Sequence, residues 1–260
     1  MRIEEPVRRF MSSPVHAVRR SASLDEVQEL LAACDISSVA VVEKDTRIVG
    51  VISRTDLLRV GRVHALDARG RPLLRLPETR VERRMRTDLV TVAPDTTVAR
   101  ASALMVERHI HRVYVCDGER LVGVFSTRDA MRALVEQRPR AMTPIVRLLS
   151  RPVMTVAPND TVAAATDRLT LAGVRGLAVV EGEWPVGLFT QAEALAARDR
   201  PAETEVEEVM SYGLLCLPSD TPLHRAAAHA LATRARRVLA VEGRRLVGIL
   251  TGVDIAAAMM

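Results

Sequence analysis

Aromatic residues are nearly missing. Three Phe, two Tyr and one Trp make up 2% of the 260 residues. Such a chain lacks the stacking platforms that single-strand nucleic-acid binders use. Its core has to be built from Val, Leu, Ile, Ala and Met. Lysine is reduced to Lys44 and asparagine to Asn159, a composition typical of GC-rich coding. The net charge of +5 is therefore carried by arginine and favours anionic partners without choosing among them. No stretch offers 18 uninterrupted apolar residues, which argues against a membrane span. The start, MRIEEPVRRF, has no apolar core of a secretory leader, so a cytoplasmic location is expected. Cys34, Cys116 and Cys216 are dispersed and form no C-x-x-C pair. They exclude a disulfide framework and a zinc knuckle, and read as buried small hydrophobes. His16, His64, His109, His111, His224 and His229 show no metal-ligand spacing, and no Ser or Cys lies in a nucleophile elbow. No catalytic residue, metal site or required cofactor follows from the sequence.

With 48% hydrophobic residues, the chain can bury one large core or two medium ones. Repeats supply the plan. The line IVGVISRTD ending at Asp56 returns as LVGVFSTRD ending at Asp129, PVGLFTQAE ending at Glu193 and LVGILTGVD ending at Asp254. Their glycines, Gly50, Gly123, Gly187 and Gly248, are 73, 64 and 61 residues apart. Before each line comes a lead-in such as RTDLVTVAP or SRPVMTVAP, then an amphipathic helix, then a β-rich run: SSVAVVE, HRVYVCD, RGLAVVE or RRVLAVE. Leu24, Val27, Leu30 and Leu31 share one face at helical spacing, as do Val98, Ala101, Met105 and Ile110. Helix starts are expected at Asp95-Thr96, at Asp160, and at Thr221 with Pro222 in the first turn. The β-run and the glycine strand are separated by hairpin-length turns such as CDGER. Each unit thus reads β-α-β-β-α. Residues 63–80, with Gly70, Pro72 and Pro77, read as an extended connection, and 136–144 as the boundary between two halves.

Four such units in register, each with Gly-Val-like strand residues followed by Ser/Thr-x-x-Asp/Glu, resemble the CBS domain (the cystathionine-β-synthase-type repeat). The repeats would occupy 6–62, 81–135, 145–198 and 205–260, an α/β (α+β) fold. The resemblance implies that repeats pair into two Bateman modules, 6–135 and 145–260. Two modules form a disc-like pseudo-dimer in relatives such as the γ subunit of AMP-activated protein kinase. It also implies clefts that bind AMP, ADP, ATP or S-adenosylmethionine. A stand-alone sensor with a protein partner, not an enzyme, is what the resemblance implies.

Ser/Thr-x-x-Asp/Glu is first of all a capping box. The same helix start is also an anion site, and an ionised carboxylate accepts only, as two ribose hydroxyls require. Candidate ribose contacts are Asp56, Asp129, Asp254 and Glu193, the last one methylene too long. Candidate phosphate contacts at helix starts are Ser53, Arg54, Ser126, Thr127, Arg128, Thr190 and Thr251. His111 and Arg112 open a strand and match the family's phosphate-contacting His-Arg pair; Arg236 and Arg237 stand at the corresponding place in repeat four. Repeats one and three carry Ser37-Ser38 and Arg175-Gly176 there. Val90, Val92, Val113 and Val124 are the candidate walls of an adenine slot. Three readings stay open: an adenine-nucleotide sensor, a ligand-free interaction module that needs only its caps, and a nucleic-acid binder, disfavoured by the aromatic content. The two halves would pair within one chain or between two chains.

Overall fold

The computed structural model describes residues 2–44, 46–60, 63–66, 72–137, 143–198 and 200–260. Repeat one contains β1 (Ala17–Arg19), α1 (Leu24–Ala33), β2 (Ser38–Glu43), β3 (Arg47–Ser53) and α2 (Arg54–Val60). A two-stranded hairpin follows, β4 (Val63–Leu66) and β5 (Pro72–Arg75). Repeat two contains β6 (Thr91–Val92), α3 (Val98–Glu107), β7 (Arg112–Asp117), β8 (Arg120–Ser126) and α4 (Thr127–Glu136). In repeat three these become β9 (Thr155–Val156), α5 (Val162–Leu171), β10 (Gly176–Glu181), β11 (Trp184–Thr190) and α6 (Gln191–Ala196). Repeat four ends the chain with β12 (Cys216–Pro218), α7 (Leu223–Ala232), β13 (Arg237–Glu242), β14 (Arg245–Thr251) and α8 (Gly252–Ala257). The β-α-β-β-α order read from the sequence is present four times.

The local chemistry repeats with it. The lead-in strand pairs parallel with the β-run, which pairs antiparallel with the glycine strand; Val115 faces Gly123 and Arg112 faces Ser126. The hairpin turn needs a left-handed residue. Gly118, Gly182 and Gly243 supply it with φ of 58°, 62° and 59°, whereas repeat one uses Lys44 at 50°. The exit from each first helix is also left-handed, at Asp35, His109, Gly173 and Arg234.

Each repeat is preceded by a 3-10 turn: Val7–Arg9, Val81–Arg83, Ile145–Arg147 and Val206–Glu208. Its first residue is fully buried in all four. Four residues after it come Met11, Met85, Leu149 and Met210, which lie against the strand glycines of a different repeat: Met11 on Gly123, Met85 on Gly50, Leu149 on Gly248 and Met210 on Gly187. A Cβ at Gly50 would sit 2.5 Å from Met85 Sδ, and one at Gly248 2.7 Å from a Leu149 methyl. This close approach is why the strand carries glycine in every copy. Backbone bridges Ser12↔Val124, Val51↔Arg86, Ser150↔Ile249 and Leu188↔Ser211 fix the docking. The lead-in strands stay with their own repeats, as the sequence reading has them; the turns and their Met or Leu dock on another repeat.

The chain forms two compact units that interleave in sequence. Unit 1 is Met1–Val15, Val90–Val153 and Gly213–Met260, which holds the elements of repeats two and four. Here α4 packs on α7 and α8, and α3 on α8, around Phe10, Val113, Phe125, Leu250 and Ile255. Unit 2 is His16–Leu89 and Met154–Tyr212, holding repeats one and three. There α2 packs on α6, with one cluster around Leu24, Ile52 and Leu57 and another around Leu177 and Phe189.

Several boundaries differ from the sequence reading. The caps of α3 and α5 are Thr97 and Thr161, whose side chains accept from Arg100 N and Ala164 N at 3.2 Å. Asp160 instead folds back onto Ala157 N at 2.9 Å. Pro222 stands at the cap of α7 rather than inside it, with extended ψ of 137°. The connection 63–80 is not merely extended: Val63↔Arg75 through Leu66↔Pro72 pair antiparallel. Two short apolar runs flank a polar segment, and Pro72 stands at a strand end where its missing N–H costs nothing. Gly70 lies outside the described residues, as do 138–142 of the expected boundary. The three cysteines are half-buried rather than fully buried, and free. No helix among the described residues is long and apolar enough to cross a membrane.

Candidate functional site

The hairpin register places the site. Because β7 and β8 are antiparallel, the residue that opens β7 lies beside the one that closes β8, from which α4 starts. Arg112 therefore pairs with Ser126, and Thr127 N donates to His111 O at 3.0 Å. In repeat four Arg237 pairs with Thr251 by the same register. Repeats one and three put Ser38 beside Ser53 and Gly176 beside Thr190.

At each helix start the acidic residue folds back as a cap. Asp56 Oδ2 accepts from Ser53 N at 2.9 Å and Ser53 Oγ at 2.5 Å. Asp129 Oδ2 accepts from Ser126 N at 2.8 Å and Oγ at 2.6 Å. Asp254 Oδ2 accepts from Thr251 N at 2.7 Å and Oγ1 at 2.6 Å. Glu193 Oε2 accepts from Thr190 N at 2.9 Å and also from its hydroxyl. The extra methylene of Glu193 thus costs nothing in the capping role, where Glu is as good as Asp. The second oxygens differ. Asp129 is buried, and its Oδ1 is paired with Arg132, which also donates to Phe10 O at 2.6 Å. Asp254 Oδ1 accepts from Ser150 Oγ at 2.9 Å.

In unit 1 the arginines of two repeats act on each other. Arg112, from repeat two, feels both Arg236, from repeat four, and Asp129. Burial first, and then the like charge of Arg236, pull the Arg112 guanidinium below its ordinary pKa, with Tyr114 and Asp129 opposing. Two residues 124 apart in sequence thus bring positive charge to one place. The first turns of α4 and α8 touch there as well, Gly252 packing directly on Thr127 so that no side chain fits at 252. Two oxygens of a phosphate can be met by such an arrangement, with arginine donating in bidentate fashion.

Unit 2 has the same frame with other contents. The first turns of α2 and α6 are tied by Thr55 Oγ1 and the Gln191 amide at 3.0 and 3.2 Å. Arg54 is buried and donates to Leu31 O at 3.1 Å, with Asp35 3.6 Å away, so it closes the end of α1. Arg128, its counterpart in unit 1, is exposed and reaches Leu231 O at 3.5 Å, at the end of α7. Of the adenine-slot candidates, Val92 and Val113 point into the core of unit 1, Val90 packs against that core, and the half-buried Val124 bridges to Ser12 by its backbone. A slot for a base cannot be built from Val92 and Val113 without opening that core.

Sequence reasoning passed over three features. The lead-in pattern, Val/Ile followed four residues later by Met or Leu, is visible at Val7, Val81, Ile145 and Val206 once the glycines are aligned. Arg132 is one turn from Asp129 on α4 and could have been nominated by i,i+3 spacing. Gln28 sits at a core-facing position of α1, between Leu24 and Leu31, and is buried.

Comparison with known proteins agrees with this frame. The CBS domain matches residues 7–62, 81–136, 145–200 and 206–260. The chain is 27% identical over 206 residues to an uncharacterized 33.4 kDa protein in a ribosomal RNA operon of Thermofilum pendens, covering 74% of this chain and 64% of that protein. It is 29% identical over 205 residues to the A-adding tRNA nucleotidyltransferase of Geobacter sulfurreducens, covering 76% of this chain but 22% of that enzyme. The chain thus spans less than two thirds of either relative. In structure it superposes on protein MJ1225 of Methanocaldococcus jannaschii, proposed as an archaeal homolog of g-AMPK, with a TM-score of 0.83 at 16% identity over 98% of this chain and all of that one. A conserved protein of Pyrococcus horikoshii gives a TM-score of 0.68 at 20% identity, over 98% of this chain and all of that one. With four CBS matches over most of its length, the chain belongs to the CBS-domain family.

Proposed function

We propose that this is a regulatory, non-catalytic protein whose unit 1 binds a phosphate-bearing adenosyl ligand and passes its state to a protein partner. The observation that carries this reading is the packing of Thr127 on Gly252, which joins the two helix starts whose register neighbours are Arg112–Ser126 and Arg237–Thr251. A phosphate at this junction gains charge-assisted hydrogen bonds from the arginines of both strand starts. Asp129 Oδ1, paired with Arg132, keeps a further acceptor position for a ribose hydroxyl. Consecutive repeats, 6–135 and 145–260, form the modules in this reading. AMP, ADP and ATP fit the cationic site; S-adenosylmethionine, which lacks a phosphate, fits it less well.

A second reading is favoured by one observation: all four carboxylates already cap helices, so the motif is fully accounted for without a ligand. Titration calorimetry with AMP, ADP, ATP, NAD and S-adenosylmethionine separates the two. Saturable binding of a phosphate-bearing ligand, weakened at least tenfold in both Arg112→Ala and Arg236→Ala, supports the sensor. No binding in protein freed of retained ligand, or binding untouched by both substitutions, leaves an interaction module.

A further inference from the structure

The four 3-10 turns share a frame and differ in charge. Before the turn stand Pro6, Arg80, Pro144 and Glu205. Counted from the buried first residue, Arg84 is in register with Phe10, Leu148 and Val209. Phe10 is buried, and Leu148 and Val209 pack against the cores of their units. Arg86 is in register with Ser12, Ser150 and Ser211. The turn before repeat two thus carries arginine where the frame takes an apolar side chain or a small hydroxyl.

These cations have no structural use. Arg80, Arg83, Arg84 and Arg86 are all exposed, and among the described residues their side chains have no hydrogen-bond or ion-pair partner. In the turn before repeat one, by contrast, Arg8 pairs with Asp95 and Arg9 with Glu5 and Glu136. Glu82 is the one acid within 80–86, and Arg20 holds it at 3.7 Å; Glu78 and Asp88 flank the segment. The backbone is fixed at both ends, with Val81 N donating to Ala22 O at 2.9 Å and Arg86 N to Val51 O at 2.8 Å. Val81 is fully buried and Met85 lies on Gly50, so the apolar residues of the segment are spent inward.

The chemistry of such a surface selects its partner. A guanidinium presents a rigid fork that matches phosphate. Protein partners are held chiefly through buried apolar and aromatic anchors, and this segment turns none outward. A nucleic-acid duplex carries one negative charge per roughly 1.7 Å of its axis. It needs no stacking platform, so the scarcity of aromatics, which counts against single strands, does not count against it. We infer that residues 80–86 of unit 2 dock on the backbone of double-stranded nucleic acid. Contacts of this kind position a protein without reading sequence. The surface uses none of the residues proposed for the ligand of unit 1.

The test is fluorescence anisotropy of a short mixed-sequence duplex, made as DNA and as RNA, titrated with the full chain between about 50 and 200 mM salt. Four phosphate contacts on B-DNA give a slope of log K against log salt of about −3.6, a loss of roughly a hundredfold over that range. Both duplexes are expected to bind, whatever their sequence. Arg83→Gln combined with Arg84→Gln is expected to weaken binding at least tenfold at low salt and to reduce the slope by about 2. Arg84→Leu gives the turn the residue of its counterpart Leu148; it is expected to lower duplex affinity while the melting temperature holds or rises, which separates binding from folding. Arg225→Gln combined with Arg234→Gln removes the same charge from exposed positions of unit 1 and is expected to leave binding unchanged. The proposal is overturned by any of three results. One is no saturable binding of either duplex. Another is an equal loss in the Arg225 and Arg234 variant, which would make net charge the cause. The third is tighter binding of an acidic peptide or of anionic phospholipid vesicles than of the duplex.

Discussion

Units 1 and 2 are built from the same parts and differ in what they hold. Both dock a buried 3-10 turn and a Met or Leu onto a strand glycine, and both bring the first turns of two helices together. In unit 1 the strand starts read His111-Arg112 and Arg236-Arg237, and the meeting point of the helices is a bare Gly252 against Thr127. In unit 2 they read Ser37-Ser38 and Arg175-Gly176, and the helices are joined by Thr55 and Gln191. One frame thus carries three arginines and a histidine at the strand starts of one unit, and a single arginine with a closed Thr–Gln contact in the other. The frame is set by packing and caps; the chemistry is set by a handful of positions that the frame leaves to vary.

This comparison can be broken at several points. The largest effect is expected from Gly123→Leu in unit 1 and Gly187→Leu in unit 2. Each drives a side chain into a packed methionine, at a cost of about 3 kcal/mol, read as a lower urea midpoint with unchanged slope. Equal losses confirm a shared frame; a loss in one unit only would show that the two differ in architecture and not just in contents. Next comes the double variant Arg112→Met, Arg236→Met. It should weaken a phosphate ligand by ten- to a hundredfold, since a charged hydrogen bond is worth about 1.5–3 kcal/mol. In unit 2, Thr55→Val removes the link to Gln191 and should cost about 1 kcal/mol, with no change in phosphate affinity. The smallest effect is expected for Lys44→Gly, which gives the repeat-one turn the residue the other three repeats have and should stabilise by about 0.5–1 kcal/mol.

Much of the frame was legible because it repeats. Four glycines in register, four apolar runs and four Ser/Thr-x-x-Asp/Glu segments specify element order and caps by local rules alone. His111 and Arg112 were legible for the same reason, as charges at a strand start where the register puts them beside Ser126. What stayed hidden depends on distant partners. Nothing near Met11 in sequence says that it covers Gly123, and nothing near Arg112 says that Arg236 shares its surroundings. Arg54 looked like a phosphate ligand by its place in the motif, but its long side chain reaches the carbonyl end of α1 instead. Val92 and Val113 looked like slot walls by their apolar character, yet strand alternation turns them to the core.

The most direct test compares AMP with adenosine on the unmodified chain and on Arg112→Met, by thermal shift. A ligand at a hundred times its dissociation constant adds about 2.7 kcal/mol of stability, a shift of several degrees for a chain of this size. If the phosphate site of unit 1 is real, AMP raises the melting temperature well beyond adenosine, and Arg112→Met removes that difference. If AMP and adenosine act alike, or if AMP acts equally on both proteins, Arg112 holds no phosphate and the convergence of cations in unit 1 has another cause.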